Sequence, residues 1–129
     1  MASRPTTVLF IDDDPTDLDL WSQRLKSCST AYSILTAEDV ESGLNVYKSQ
    51  KVDCVILDLD LNHSSGFEVL LALVPDRHNP AIPVIVLTKI NYRSLHEMVM
   101  HHGARACLVK SLTLAHDLHK AIQNAVAAQ

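Results

Sequence analysis

Short apolar runs recur along the chain and are separated by longer segments of mixed character. Several runs are rich in β-branched residues, which is typical of strands buried on both faces of a sheet. The five runs that we predict as strands are Val8–Ile11, Tyr32–Leu35, Val55–Leu57, Ile82–Leu87 and Cys107–Val109. The pattern therefore predicts a sheet of five strands at the centre of the protein.

The segments between these strands place apolar residues at helical spacing. The residues that carry the spacing are Leu18, Trp21 and Leu25; Val40, Leu44 and Tyr47; Phe67, Leu70 and Val74; Tyr92, Leu95 and Val99; and Leu114, Leu118 and Ile122. Asp14 followed by Pro15 is typical of a helix cap and first turn, and Gly103 stands where the fourth helix would end. Each strand is therefore predicted to be followed by one helix.

Strict alternation of strands and helices indicates parallel strands joined by right-handed crossovers, with helices on both faces of the sheet. This arrangement is a doubly wound α/β fold. The chain has 129 residues, of which 47% are hydrophobic and 20% are charged. That is enough for one domain with its own core but not for two of ordinary size, so we expect a single domain over residues 1–129.

The formal net charge of −4 disfavours a nucleic-acid backbone or an anionic membrane as a partner. No apolar run approaches the roughly 20 residues of a transmembrane helix, and Met1–Thr7 lack the apolar core of a signal peptide. Three cysteines without paired spacing argue against disulfides and a zinc site. We therefore expect a cytoplasmic protein.

Polar residues follow four of the five predicted strands. Asp12 and Asp13 follow the first strand, Asp58 the third, Thr88 the fourth and Lys110 the fifth. In an open parallel sheet, ligands bind outside the carboxyl ends of the strands. Three carboxylates, a hydroxyl and an amine are thus predicted to meet at one edge of the sheet.

Carboxylates brought together in this way need either protonation or a compensating cation. Two of them about 4 Å apart repel by roughly 4 kcal/mol at an effective dielectric constant near 20. Mg²⁺ suits such a site because it prefers hard oxygen ligands and binds through one or two carboxylates plus a phosphoryl oxygen. One carboxylate would remain as a nucleophile that can accept a phosphoryl group.

Four motifs in this order and spacing resemble the receiver domain of two-component response regulators, of the chemotaxis-regulator type. They are Val8–Asp14, Val55–Asp60 with Gly66 eight residues beyond Asp58, Pro83–Thr88, and Cys107–Lys110. The resemblance covers nearly the whole chain. It implies a flavodoxin-like sheet of five parallel strands in the order 2-1-3-4-5, with five helices.

The resemblance also implies a role for each residue at the strand ends. Asp58 would be the phosphoacceptor. Asp13, Asp58 and the backbone carbonyl of Asp60 would bind Mg²⁺, while Asp12 would act largely through a metal-bound water. Lys110 would pair with the phosphoryl group.

The function implied by the resemblance is that of a signalling phosphoacceptor rather than an enzyme. A sensor histidine kinase or a histidine phosphotransfer protein would supply the phosphoryl group, and Thr88 would be the switch hydroxyl. Lys89 directly follows Thr88 and is large enough to screen the phosphoryl group from water. We therefore hypothesise that Lys89 slows dephosphorylation.

The chain departs from the family pattern at three positions. Asn62 and Ser111 replace prolines, and Cys107 replaces an aromatic residue. Because a cis peptide bond before a residue other than proline costs about 2.5–4 kcal/mol, we predict a trans bond between Lys110 and Ser111. None of the three groups is used directly in metal binding or phosphoryl transfer, so the departures concern the output switch.

Two alternatives remain. A phosphorylation-independent docking module on the same fold would need none of the acidic residues. Asp58 and Asp60 after an apolar strand also look like the nucleophile motif of haloacid-dehalogenase-type phosphatases. That motif usually opens the chain, however, and here a complete βαβα unit precedes it.

Overall fold

The computed structural model describes residues 5–61, 64–78 and 80–128. Its five main strands are β1 (Thr6–Ile11), β2 (Tyr32–Ala37), β3 (Cys54–Leu57), β4 (Val84–Thr88) and β5 (Ala106–Val109). Its five α-helices are α1 (Pro15–Cys28), α2 (Val40–Ser49), α3 (Gly66–Leu73), α4 (Arg93–His101) and α5 (Ala115–Ala127). Each main strand is followed by one of these helices.

The five main strands form one parallel sheet in the order β2-β1-β3-β4-β5. The predicted doubly wound α/β fold and its 2-1-3-4-5 order are therefore confirmed. The register pairs Ile11 with Leu57 and Thr88 with Val109, so neighbouring strands end at nearly the same level. Residues that follow the strands are consequently brought to a common edge.

Both faces of the sheet are covered, which explains why the central strand β3 is continuously apolar and why β1 and β4 contain continuous apolar runs. On one face Val8 and Phe10 pack with residues of α1 and α5, including Trp21 and Ile122. On the other face Leu9, Ile11 and their neighbours pack with residues of α2, α3 and α4. Within the described ranges no helix combines the length and apolar character needed to cross a bilayer.

The predicted helix punctuation is confirmed at both positions. Asp14 caps α1, because its side chain accepts hydrogen bonds from the backbone N–H groups of Thr16 and Asp17, and Pro15 is the first helical residue. Gly103, just beyond α4, has a φ of 101°, a conformation that L side chains rarely adopt.

The bounds of all five main strands differ from the prediction by one or two residues, and two short elements were not predicted. β4 begins at Val84 rather than Ile82, although the Pro83 carbonyl still accepts a hydrogen bond from Val55 N–H. A short antiparallel hairpin, Asp60–Leu61 with Ser64–Ser65, lies between β3 and α3. A 3-10 turn at Lys110–Leu112 follows β5. Elements of two or three residues, such as this hairpin and this turn, are too short to produce a hydrophobic period in the sequence.

Candidate functional site

The ends of β1 and β3 bring Asp12 and Asp58 together. Both residues continue the ladder of the sheet by one hydrogen bond, since Asp12 N–H donates to Ala37 O at 3.0 Å and Asp58 N–H donates to Ile11 O at 2.9 Å. Both are buried, with only 6% of each residue exposed. Two acidic side chains are therefore held at neighbouring positions with little access to water, where their charges require compensation.

Lys110 provides part of that compensation. Its Nζ donates to Asp12 Oδ2 at 2.7 Å, to Asp17 Oδ2 at 2.8 Å and to Asp58 Oδ2 at 3.2 Å. Burial alone would lower the pKa of Lys110, but its hydrogen bonds to Asp12 and Asp17 and the charges of Asp58 and Asp12 together raise it. The side chain therefore carries a positive charge throughout the physiological pH range.

A metal could bind on the same edge. The carboxylates of Asp12, Asp13 and Asp58 each offer an oxygen, and these oxygens lie within 4.8 Å of one another. Asp12 is held in place because its Oδ1 accepts a hydrogen bond from Asp14 N–H at 3.0 Å. A set of hard, anionic oxygen donors fits Mg²⁺ better than a metal that prefers nitrogen or sulfur ligands.

The segment after Asp58 is only partly described. Asp60 is the first residue of the short hairpin, but its side chain is outside the described part of the structure, as is Asn62 altogether. Gly66 closes the segment, where its N–H donates to Leu59 O at 2.9 Å. A Cβ at Gly66 would lie 2.6 Å from Leu59 Cα and closer still to the Asp58 carbonyl oxygen. A residue with a side chain therefore cannot occupy position 66 without moving the backbone that carries Asp58.

Thr88 ends β4 and is fully buried. The hydrogen bond described for its hydroxyl is made within its own loop, where Oγ1 accepts from Ile90 N–H at 3.2 Å. Thr88 therefore lies at the expected edge of the sheet. The hydrogen bond with Ile90 does not connect its hydroxyl to the carboxylate cluster.

The two described departures from the receiver pattern are accommodated locally. The bond between Lys110 and Ser111 is trans, as predicted, and leads into the 3-10 turn. Cys107 is half-buried against the core formed with α2, α3 and α4, and burial raises the pKa of its thiol to about 11. The Cys107 side chain therefore acts as a small hydrophobic group at neutral pH.

Two further charged residues belong to the site. Asp17 was given no role from the sequence, and Lys89 was predicted to screen the phosphoryl group but not to contact Asp14 and Asp17. Lys89 Nζ lies 3.6 Å from Asp17 Oδ2 and 4.0 Å from Asp14 Oδ2. Burial raises the pKa of Asp17, but its contacts with Lys110 and Lys89 outweigh that effect and lower it overall. The signal for Asp17 was its place three residues after the cap Asp14, which puts it on the first turn of α1 beside the end of β1.

Lys89 connects the end of β4 with the start of α1. β3 lies between β1 and β4 in the sheet, and α1 begins just after β1. The contacts of Lys89 Nζ with Asp14 and Asp17 therefore bring it to the α1 side of the site. Because Lys110 also contacts Asp17, Lys89 lies next to the cluster that contains Asp58.

A five-stranded parallel sheet with acidic residues and a lysine at its carboxyl edge defines a receiver-like α/β protein. The family described as response regulator receiver domain matches residues 8–123, and the chain belongs to this family. A response regulator receiver domain protein from Clostridium thermocellum has a solved structure with a TM-score of 0.83 and 30% identity, covering 95% of each chain.

Two curated relatives show different extents of similarity. The transcriptional regulatory protein GlrR of Escherichia coli K12 is 39% identical over 88 residues, which are 68% of this chain but 19% of GlrR. Protein PilH of Pseudomonas aeruginosa is 28% identical over 103 residues, which are 80% of this chain and 84% of PilH. The chain thus spans about a fifth of GlrR and most of PilH.

Proposed function

We propose that this chain, as a single receiver domain, accepts a phosphoryl group on Asp58 in a two-component or phosphorelay pathway. The observation that carries the proposal is the contact of Lys110 Nζ with Asp58 Oδ2 at 3.2 Å, beside the group of carboxylates that could hold a metal. A carboxylate next to a fixed ammonium group is suited to phosphoryl transfer, in which positioning and charge stabilisation supply most of the catalysis.

The proposed reaction is a direct transfer between two side chains. An Asp58 carboxylate oxygen forms a bond to the phosphorus atom, and the bond from phosphorus to a histidine nitrogen of the donor breaks. The leaving imidazole keeps the electron pair of that bond. Lys110 donates hydrogen bonds to the phosphoryl oxygens, and buried Thr88 serves as the switch hydroxyl. The chain thus carries the phosphoryl group as a signal and does not act as an enzyme on a separate substrate.

Asp13, Asp58 and the backbone carbonyl of Asp60 would hold Mg²⁺, with Asp12 contributing mainly through a bound water. When bound, Mg²⁺ would neutralise charge on the phosphoryl oxygens. The donor would be a sensor histidine kinase or a histidine phosphotransfer protein, which places the domain in the cytoplasm. Its downstream partner would be a protein rather than nucleic acid or a membrane, in keeping with the net charge of −4.

The proposal is tested by incubating the protein with a small phosphodonor and Mg²⁺ and recording its intact mass. We expect the mass of one phosphoryl group to be added. A protein that never gains this mass, although it binds Mg²⁺ and is folded, would instead be a docking module that works without phosphorylation. Steady release of inorganic phosphate from phosphate monoesters would indicate a phosphatase.

The uptake of phosphate should depend on a divalent cation held by Asp13. We expect chelation to stop uptake, and Asp13→Asn to slow it at least tenfold at limiting Mg²⁺, because an anionic ligand is lost. Asp19→Asn is the matched control, since Asp19 lies on the exposed side of α1 and bonds only Gln23 among its described contacts. Equal Mg²⁺ affinities for the two variants, measured by titration, would contradict the assignment of Asp13.

Lys89 should prolong the life of the phosphorylated form. Because it shares Asp17 with Lys110, which contacts Asp58, its side chain would restrict the approach of water to a phosphoryl group on Asp58. We expect Lys89→Ala to shorten the lifetime of the phosphoryl group severalfold, as followed by loss of the added mass with time. Lys89→Met, which keeps the length without the charge, separates shielding from ion pairing. An unchanged or longer lifetime in Lys89→Ala would refute the hypothesis.

A further inference from the structure

Asp17 contacts both lysines of the site, Lys110 and Lys89. Its Oδ2 accepts a hydrogen bond from Lys110 Nζ at 2.8 Å and lies 3.6 Å from Lys89 Nζ. The side chain of Asp17 is 16% exposed, so both contacts are made at the rim of the site rather than in open solvent. Lys110 and Lys89 come from the ends of different strands, and one carboxylate oxygen on α1 therefore connects them.

The three contacts of Lys110 are unequal. Its Nζ lies 2.7 Å from Asp12 Oδ2 and 2.8 Å from Asp17 Oδ2, but 3.2 Å from Asp58 Oδ2. An ammonium group has three protons, and charge-assisted hydrogen bonds are strongest at about 2.7–2.9 Å. Two of the protons therefore form short hydrogen bonds to Asp12 and Asp17, and the hydrogen bond to Asp58 is the weakest of the three.

We propose that Asp17 is a positioning residue for phosphorylation, which holds Lys110 close to Asp58 without letting it close on the acceptor. This inference rests on the proposed function of Asp58. Without the Asp17 carboxylate, Asp12 and Asp58 remain as the acidic contacts of Lys110 among the described side chains, and the ammonium group moves toward Asp58. An oxygen tightly paired with an ammonium group is a poorer nucleophile, because the pair must be loosened before the bond to phosphorus forms.

Asp17 also has a plain structural role that must be separated from this one. An acidic residue in the first turn of a helix stabilises the helix through its dipole. Asp17→Asn removes the charge while keeping the size, and Asp19→Asn removes a charge from the exposed side of the same helix. Asp17→Glu restores the charge on a longer arm.

The first measurement is the rate at which a small phosphodonor phosphorylates each variant at saturating Mg²⁺. We expect Asp17→Asn to slow the reaction three- to tenfold, Asp19→Asn to change it less than twofold, and Asp17→Glu to recover at least half of the loss. The Lys89→Ala background decides the route, because an effect through Lys110 persists there and an effect through Lys89 alone disappears. An unchanged or increased rate in Asp17→Asn, or a loss confined to chains that retain Lys89, would overturn the proposal.

The second measurement needs no phosphodonor. The NMR signal of the Lys110 ammonium group should shift in Asp17→Asn and stay in place in Asp19→Asn, because Asp17 contacts this group whereas the described side-chain hydrogen bond of Asp19 is to Gln23. No shift in Asp17→Asn would also overturn the proposal. If the unaltered protein takes up no phosphate at all, the proposed function fails and Asp17 has no reaction to serve. If that protein is phosphorylated and Asp17→Asn reacts at the same rate, only the role of Asp17 fails.

Discussion

The Asp58→Asn variant is expected to gain no phosphoryl group under conditions in which the unaltered protein is fully converted. An amide has almost the same size as a carboxylate but lacks the anionic oxygen that forms the bond to phosphorus. The loss should therefore be complete rather than partial. Intact-mass measurement after treatment with a small phosphodonor and Mg²⁺ resolves this result directly.

The fold should survive this substitution. Asp58 is one of several carboxylates gathered around Lys110, and the ammonium group keeps its shorter contacts with Asp12 and Asp17 when Asp58 becomes neutral. Removing one of several crowded negative charges lowers their mutual repulsion. We therefore expect a Tm equal to or higher than that of the unaltered protein. An added phosphoryl mass in folded Asp58→Asn would show that another residue is the acceptor.

The fold could be predicted from the sequence because the strands, the helix starts and the strand ends each have a recognisable residue pattern. Strands covered on both faces are typically apolar, and β3 is apolar throughout while β4 is apolar up to its last residue, Thr88. The start of α1 is marked by the pair Asp14 and Pro15, whose capping geometry is used as predicted. Once the strands are parallel, the residues that follow them have to meet at one edge.

The same logic predicted which side chains would lie near Asp58. Asp12, Asp13 and Lys110 were taken from strand ends, and the structure brings the carboxylates close to Asp58 and the Lys110 ammonium group within hydrogen-bond distance of it. Their roles in metal binding and phosphoryl transfer remain predictions that the variants described above test. Thr88 was also predicted to lie at this edge of the sheet, and its hydroxyl oxygen accepts a hydrogen bond there from Ile90 N–H.

Asp17 could not be placed by that logic, because it belongs to the first turn of α1 rather than to a strand end. Lys89 follows β4 and was predicted to lie beside the phosphoryl group, but its contacts with Asp14 and Asp17 were not predicted. Lys89 can extend in many directions from its backbone, and its contact with Asp17 is fixed only when α1 and β4 have their final positions. A charge run near a helix start is also common on solvated surfaces. From the sequence alone, Asp17 therefore cannot be distinguished from an ordinary acidic residue of the first helical turn.

Gly66 links the stability of the domain to its chemistry, and the Gly66→Ala variant should lose both. The added Cβ would lie 2.6 Å from Leu59 Cα and nearer still to the Asp58 carbonyl oxygen. These are backbone atoms, which cannot rotate away as a side chain can. Because overpacking of this kind costs about 1–3 kcal/mol and sometimes more, we expect the free energy of unfolding to fall by at least about 2 kcal/mol.

Gly43→Ala is the matched control, because its Cβ would instead meet the flexible end of Ile11, 2.7 Å from Cδ1. Rotation of Ile11 can relieve that contact, and replacing glycine inside a helix gains roughly 0.5–1 kcal/mol, so the net change should stay within about 1 kcal/mol. Urea unfolding with an unchanged m-value measures both effects. Because the segment that must move carries Asp58, the fraction of Gly66→Ala that remains folded should also be phosphorylated at least tenfold more slowly. A Gly66→Ala protein as stable and as reactive as Gly43→Ala would show that the turn after Asp58 yields easily, and that its close packing does not fix the acceptor.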